Sequence, residues 1–116
     1  MTDREMLELA AKAAGFNDAE WVAEQACIST LQQKRGFKFF WNPLTDDGDA
    51  LRLWVKLKLD ISFGDVSFFD DDFGFPVTYW REAQDVKGFV LHENDPYAAT
   101  RRAIVRAAAE IGKAMK

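Results

Sequence analysis

The chain has 116 residues, and a hydrophobic content of 48% with an aromatic content of 14% is enough for the packed core of one domain, residues 1–116. Such a composition excludes a chain that is disordered as a whole. The net charge of −4 is modest, which excludes both a strongly basic nucleic-acid binder and a dense acidic mimic of nucleic-acid phosphates.

Two features of the sequence indicate the compartment. Residues 2–5 lack the basic start and apolar centre of a signal peptide, and no apolar run approaches the ~18 residues that a membrane span needs. Cys27 is the single cysteine, which excludes an intrachain disulfide, and one free thiol fits a reducing compartment. We therefore expect a cytoplasmic protein with no membrane segment.

A first amphipathic helix is predicted at residues 3–14. Thr2 and Glu5 have the spacing of a capping box, in which each side chain accepts a hydrogen bond from the other residue's backbone amide. At 100° per residue, one arc of this helix collects the apolar side chains, namely Met6, Leu7, Leu9, Ala10, Ala13 and Ala14. Gly15 follows as a typical C′ residue, at which the helix ends.

The stretch WNPLTDDGDALRL, residues 41–53, predicts the beginning of a second helix that runs to about Lys58. Three residues are candidates for its N-cap: Asn42, which is followed by a proline, Thr45 and Asp46. With any of them as the cap, three carboxylates lie near the positive end of the helix dipole, where they are stabilising: Asp46, Asp47 and Asp49.

Asp95 and Pro96 predict the N-cap and first position of a third helix. Its apolar seam consists of Tyr97, Ile104, Ala108, Ile111 and Met115. Arg101 projects only about 40° from this seam, so we expect its side chain to be partly buried. A buried guanidinium that has no carboxylate partner costs several kcal/mol. We therefore predict that Arg101 contacts one of the three carboxylates of the second helix, Asp46, Asp47 or Asp49.

Between the helices the hydrophobic period shifts towards two, which favours strands. Alternating stretches occur at 60–63, 66–68, 77–80 and 88–92. The change of phase at Gly64 and Asp65 predicts a bulge or a turn, and residues 70–74 are typical of a loop. Residues 18–41 can be drawn on a helix, but their composition favours strands. The prediction is an α+β domain of three helices on a mainly antiparallel sheet of four or five strands.

Three blocks of the sequence resemble the phage ABA-sandwich domain family of small phage and prophage proteins: MTDREMLELAAKAAGF, WNPLTDDGDALRL and DPYAATRRAIVRAAAEIG. The blocks occur in this order and cover roughly half of the chain. The resemblance implies a layered α-β-α sandwich and a phage or prophage accessory protein in the host cytoplasm. The family has no established biochemical activity, so the resemblance implies no catalytic role for any residue.

The three aspartates of the second helix offer the carboxylate oxygens that Mg²⁺ and Ca²⁺ prefer. A hydrolytic metal site needs carboxylates that converge from separate elements, whereas helical residues two or three positions apart splay around the axis. We therefore interpret Asp46, Asp47, Asp49 and Arg101 as a structural cluster that begins and anchors a helix. No metal ion or other cofactor is predicted.

The remaining reactive side chains do not predict an active site. The run Asp70–Asp72 lacks the ligand spacing of an EF-hand and is typical of a solvated turn. His92, the only histidine, has no serine or cysteine nucleophile at a recognisable motif spacing. Cys27 has no CxxC partner, so we interpret it as an inert core thiol. No catalytic residue is predicted.

Two features point to binding. Arg102, Arg106 and Lys113 form a basic stripe on the third helix, which could follow nucleic-acid phosphates or be a solvated face. The second feature is a surplus of large aromatic side chains, some of which could remain exposed for a partner. They are Phe37, Phe39, Phe40, Trp41, Phe63, Phe68, Phe69, Phe73, Phe75 and Trp80.

We predict a non-enzymatic protein-interaction module with an unidentified protein partner. A second copy of the same chain is one candidate for this partner, and the two copies would then form a homodimer. Two alternatives stay open. The basic stripe would serve a nucleic-acid-binding accessory protein, and the aspartate cluster would serve a metal-dependent hydrolase.

Overall fold

The computed structural model of the protein describes residues 1–30, 39–66 and 74–115. These residues contain three helices, which are α1 (Asp3–Ala13), α2 (Asp47–Leu57) and α3 (Pro96–Ala114). The strands are β1 (Glu20–Val22), β2 (Cys27–Thr30), β3 (Phe39–Trp41), β4 (Asp60–Val66), β5 (Phe75–Glu82) and β6 (Asp85–Leu91). None of the described helices has both the length and the hydropathy of a membrane span.

The strands form two antiparallel sheets of three strands each, in the orders β1-β2-β3 and β4-β5-β6. The predicted α+β class with three helices is confirmed. The described residues hold six strands in two sheets, whereas the sequence predicted four or five strands in one. Helix α2 lies between β3 and β4 in the chain, and strands that follow one another pair as neighbours. Hydrophobic alternation identifies a strand but not its partner, so this division was not predictable from the pattern.

The three helices begin where local signals predicted. The Thr2 hydroxyl accepts a hydrogen bond from the Glu5 amide at 3.1 Å, and Asp95 Oδ1 accepts from the amides of Tyr97 and Ala98 at 3.1 and 3.0 Å. Asp46, rather than Asn42 or Thr45, caps α2, since its Oδ2 accepts from the Asp49 amide at 2.7 Å. Helices α1 and α2 each end about one residue before the predicted end, and the C-cap of α2 is Lys58 in the left-handed conformation.

The main core lies where α1 packs on α3 and on strands β1 and β2. Its largest fully buried side chains include Leu7, Ile28, Trp41 and Val105. The contact between the two helices is very close at Gly112, where an added Cβ would lie 2.0 Å from the carbonyl oxygen of Leu9. Only glycine fits at such a backbone approach.

Helix α3 also covers one face of the β4–β6 sheet. Trp80 on β5 packs against Ala103 and Ala107 of α3, and Thr78 on the same face contacts Thr100 at 3.0 Å. The opposite face carries Val77, Tyr79, Phe89 and Leu91, because the register pairs Val77 with Leu91 and Tyr79 with Phe89.

The predicted interruption at Gly64 and Asp65 is wrong, because β4 continues through both residues in register with β5. A Cβ at Gly64 would lie 3.0 Å from Tyr79 Cε1, so the glycine makes room for an aromatic ring within an unbroken strand. The irregularity in this sheet lies between Trp80 and Arg81, opposite β6. Residues 67–73, which carry the rest of the predicted phase change and most of the predicted loop, lie outside the described residues.

The predicted seam of α3 is buried in its middle, at Ile104 and Ala108, but exposed at both ends. At the C-terminal end, Ile111 and Met115 are 39% and 43% exposed. Tyr97 is 73% exposed. It shares the direction of the buried Ile104 but lies about two turns before it, where no described element covers the helix.

The aromatic surplus is divided between core and surface. Trp41 and Trp80 are buried, whereas Phe40, Phe63 and Phe75 are exposed. The side chain of Phe39 and the remaining four phenylalanines of the predicted set lie outside the described part of the structure, namely Phe37, Phe68, Phe69 and Phe73.

Candidate functional site

The aspartates at the beginning of α2 are held by different partners. Asp49 is buried, its Oδ2 accepts a hydrogen bond from the Asn42 amide at 3.0 Å, and its Oδ1 lies 2.7 Å from Arg52 Nη2. Asp46 is occupied by its N-cap hydrogen bond to the Asp49 amide. Within the described ranges, no group of three His, Cys, Asp or Glu side chains could hold a metal ion.

Arg101 contacts this cluster from α3. Its Nη1 lies 2.7 Å from Asp47 Oδ1, and its Nε donates to the carbonyl of Leu44 at 2.9 Å. The Arg101 side chain is 18% exposed, whereas that of Asp47 is 78% exposed. The predicted contact is therefore present, with Asp47 rather than Asp46 or Asp49 as the partner, and it ties the turn before α2 to α3.

The thiol of Cys27 lies in the core at the start of β2. Burial raises the pKa of Cys27, and the negative charge of Asp49 raises it further. A raised pKa keeps the thiol protonated at neutral pH, and a protonated thiol is a weak nucleophile. This environment does not suit a catalytic cysteine.

The structure brings together two members of the predicted basic stripe. Arg102 is ion-paired with Asp3, at 3.1 Å from Nη1 to Oδ1. Arg106 stacks on the Trp80 ring at 5.0 Å and donates from Nη1 to the carbonyl of Phe89 at 3.2 Å. Lys113 lies about two turns further along α3, away from both. Arg102 and Arg106, but not Lys113, lie beside strand β6.

A cleft of about 450 Å³ lies between the end of β6 and the first three turns of α3, and we call it the edge cleft. One side consists of residues 89–92, and the opposite side consists of Ala98, Ala99, Arg102 and Arg106. The two alanines leave space beside the strand because their side chains are short. Sequence reasoning missed this cleft, because the return of α3 alongside β6 depends on tertiary packing.

Strand β6 is an edge strand among the described strands. The backbone N–H and C=O groups of successive residues point alternately towards β5 and away from it. In an antiparallel pair, every second residue directs both its N–H and its C=O to the partner strand. The amide of His92 donates to the carbonyl of Pro76 on β5 at 2.9 Å, so Val90 has the same orientation as His92. Phe89 and Leu91 therefore direct their backbone groups away from β5, and the bond from Arg106 to the Phe89 carbonyl agrees with this.

The charges of the edge cleft are separated along its length. Arg106 lies near Phe89, to whose carbonyl it donates, and Arg102 lies one turn earlier on α3, whereas Glu93 and Asp95 lie at the end where α3 begins. Asp95 is occupied by its N-cap hydrogen bonds. No ion pair within 4.0 Å joins the two ends of the cleft in the described part of the chain. The cleft therefore has a cationic end and an acidic end.

His92 contacts a threonine that the sequence pattern did not identify. Its Nε2 lies 2.8 Å from Thr78 Oγ1, which lies 3.0 Å from Thr100 Oγ1, and Thr100 donates to the carbonyl of Pro96 at 2.7 Å. Each hydroxyl has one hydrogen. Thr100 uses its hydrogen on Pro96, so Thr78 donates to Thr100 and accepts from His92 Nε2–H. A histidine that donates to a hydroxyl does not activate it as a nucleophile.

Comparison with models of known protein families, with curated proteins and with solved structures found no significant match.

Proposed function

We propose that this chain is a non-enzymatic protein-interaction module that binds an extended segment of a partner protein along the edge of β6. The observation that carries the proposal is the direction of the backbone groups of Phe89 and Leu91, which face away from β5 beside the edge cleft. Arg106 occupies the Phe89 carbonyl, so the groups offered to a partner strand are the Phe89 N–H and the N–H and carbonyl of Leu91. A peptide that adds to an exposed sheet edge gains affinity from main-chain hydrogen bonds and specificity from neighbouring side chains. The edge cleft offers both kinds of contact.

The resemblance of the three sequence blocks supports a phage or prophage origin, with the host cytoplasm as the compartment and α-β-α layering as the arrangement. These blocks contain α1, the N-cap and most of α2, and most of α3. They leave out β6, so the resemblance says nothing about the partner. The proposed activity rests on the geometry of the edge cleft alone.

The two alternatives have less support. Nucleic-acid binding would need a continuous row of cations, but Lys113 lies about two turns from Arg106 on α3, and the cleft beside Arg102 and Arg106 is also lined by Glu93 and Asp95, which would repel phosphates. A metal-dependent hydrolase would need converging carboxylates. The aspartates of α2 instead contact backbone amides and arginines.

The proposal is tested by selecting binders from a random library of linear peptides on the immobilised protein. The enriched peptides should shift the backbone amide signals of Phe89 and Leu91 in nuclear magnetic resonance spectra. Leu91→Pro should abolish this binding, because it removes an outward N–H that β5 does not use, and edge strands tolerate such a proline.

Leu91→Ala is the matched control. It removes the side chain, which lies on the face away from α3, but keeps the N–H, so it should retain binding. Circular dichroism and thermal unfolding should show that both variants remain folded. A library that yields no binder, or binders that leave the signals of Phe89 and Leu91 unmoved, would refute the proposed function.

A further inference from the structure

We infer that the segment bound in the edge cleft pairs antiparallel to β6 and has an acidic residue at its C-terminal side, whose carboxylate is held by Arg106 and Arg102. The inference rests on the proposed function and adds the chemistry and the direction of the occupant. It is argued from the donors at one end of the cleft, the charge at the other end and the direction of the strand.

Arg106 has donors to spare at the cationic end. A guanidinium carries five N–H donors in a planar fork that matches a carboxylate. One of them, on Nη1, is used on the Phe89 carbonyl. The stacking of Arg106 on Trp80 fixes the plane of the fork, so less freedom is lost when a carboxylate binds.

Arg102 can exchange its partner. Its ion pair with Asp3 joins side chains that are 41% and 59% exposed. Exposed pairs of this kind contribute little to stability and compete with water. A carboxylate in the edge cleft that also contacts Arg106 would have two cations beside it, whereas Asp3 pairs with Arg102 alone among the described residues.

Antiparallel pairing is slightly more stable per residue than parallel pairing, so we take it as the direction of the segment, and the charges at the two ends of the cleft then fix its order of charged residues. Strand β6 runs from the arginine end, at Phe89, towards the acidic end, at Glu93 and Asp95. A segment antiparallel to β6 would begin at the acidic end and finish at the arginines. An acidic residue at its C-terminal side would then lie at Arg106, and a basic residue or a free amine at its beginning would lie near Glu93. A parallel segment would need the reverse order of charges.

The test uses the random-peptide selection together with two synthetic peptides whose termini are blocked. One peptide is Lys-Val-Thr-Val-Glu, and the other has the reverse sequence, Glu-Val-Thr-Val-Lys. We expect glutamate or aspartate to be enriched at the C-terminal side of the selected peptides, and the first synthetic peptide to bind about tenfold more tightly than the second.

The variants Arg106→Gln and Arg102→Gln should each bind Lys-Val-Thr-Val-Glu more weakly than the wild type, with an affinity about tenfold lower for Arg106→Gln. The double variant should lose the preference for an acidic residue at the C-terminal side. Lys113→Gln is the matched control, since it removes a positive charge from α3 outside the cleft and should change binding less than twofold. Raising the salt concentration should weaken the binding of Lys-Val-Thr-Val-Glu to the wild type more than its binding to the double variant.

The outcomes distinguish a failure of the inference from a failure of the proposed function. Selected peptides that contact Phe89 and Leu91 but show no acidic preference, or keep it in the double variant, would overturn the inference and leave the proposed function standing. The same holds if the reversed peptide binds more tightly. A dimer of the free protein that Leu91→Pro converts to a monomer would show that a second copy occupies the edge, and this would also overturn the inference.

Discussion

Arg101 of α3 reaches Asp47 at the beginning of α2, at 2.7 Å, and holds the Leu44 carbonyl with the same guanidinium. The two ends of the ion pair differ in environment, since the arginine side chain is 18% exposed and the aspartate side chain is 78% exposed. Most of what Arg101 contributes therefore comes from its packing and its hydrogen bond to the backbone, and less from the charge of Asp47.

The first prediction follows from this difference. Arg101→Ala should lower the free energy of unfolding by about 1–3 kcal/mol, because it removes buried packing and a charge-assisted hydrogen bond. Asp47→Ala should cost about 0.5 kcal/mol, and the coupling in a double-mutant cycle should be about 0.2–1 kcal/mol. Urea denaturation measures all three values. Glu8→Ala, which removes an exposed ion pair with Arg4, is the control and should change stability little. Equal losses for Arg101→Ala and Glu8→Ala would contradict a stabilising contact of Arg101 with the turn before α2.

The second prediction concerns the contact between α1 and α3. Gly112→Ala would place a Cβ 2.0 Å from the Leu9 carbonyl oxygen, which the two helices can relieve only by moving apart. We expect a loss of about 1–3 kcal/mol, the usual cost of overpacking. Gly48→Ala is the control, because its nearest neighbours are the flexible end of Arg52 and a carboxylate at 3.1–3.3 Å, and alanine is the better helix former. A Gly112→Ala variant as stable as the wild type would contradict the observed packing.

Whether a feature of the fold or of the candidate site was predictable depended on how far apart in the sequence the interacting residues lie. The caps at Thr2 and Asp95 were predictable because a cap involves residues two or three positions apart. The contact of Arg101 with the aspartate cluster was also predictable, because the cost of an unpaired buried charge restricts its partners to a few residues.

Interactions between distant segments were not predictable in this way. The division into two sheets and the edge cleft both depend on where α3 returns relative to β6, and no local pattern specifies that return. Tyr97 shows the same limit on a smaller scale. Its helical direction was inferred correctly, but its exposure is set by what the other elements cover.

The third prediction is the pH dependence that Cys27 contributes. Its pKa is raised in the folded protein by burial and by Asp49, so the native state keeps the thiol proton to higher pH than the unfolded chain does. Stability from this group is therefore fully present below the unfolded pKa of about 8.5 and falls as the pH rises through and above it. The slope is at most about 1.4 kcal/mol per pH unit.

Cys27→Ala provides the reference for this measurement, since tyrosines and lysines titrate in both proteins. The difference in the free energy of unfolding, wild type minus variant, should decrease between pH 7 and pH 10 in urea denaturation. A difference that stays constant over this range would show that the thiol is not shifted. The native thiol should also react slowly with a disulfide reagent until the protein unfolds.

The last prediction concerns the chain of hydrogen bonds from His92 through Thr78 to Thr100. Because Thr100 donates to Pro96 and Thr78 donates to Thr100, neutral His92 should carry its hydrogen on Nε2. Nitrogen-15 spectra at alkaline pH distinguish the protonated ring nitrogen from the other one. Thr100→Val frees the Thr78 hydroxyl hydrogen, which can then be donated to His92, so the ring should shift towards the Nδ1–H tautomer.

Thr78→Val tests the same series of hydrogen bonds at its middle residue. Thr78 is fully buried, and its replacement by valine leaves His92 Nε2 without its hydrogen bond to Thr78 and removes one of the two hydrogen bonds of Thr100, which should cost about 1–3 kcal/mol. Thr78→Ser keeps the hydroxyl and should preserve the Nε2–H tautomer. If the tautomer is Nδ1–H in the wild type and does not respond to Thr100→Val, Thr78 donates to His92, and the exclusion of Thr78 as an activated nucleophile no longer holds. The tautomer of the His92 ring therefore shows whether Nε2 donates to Thr78 or accepts from it.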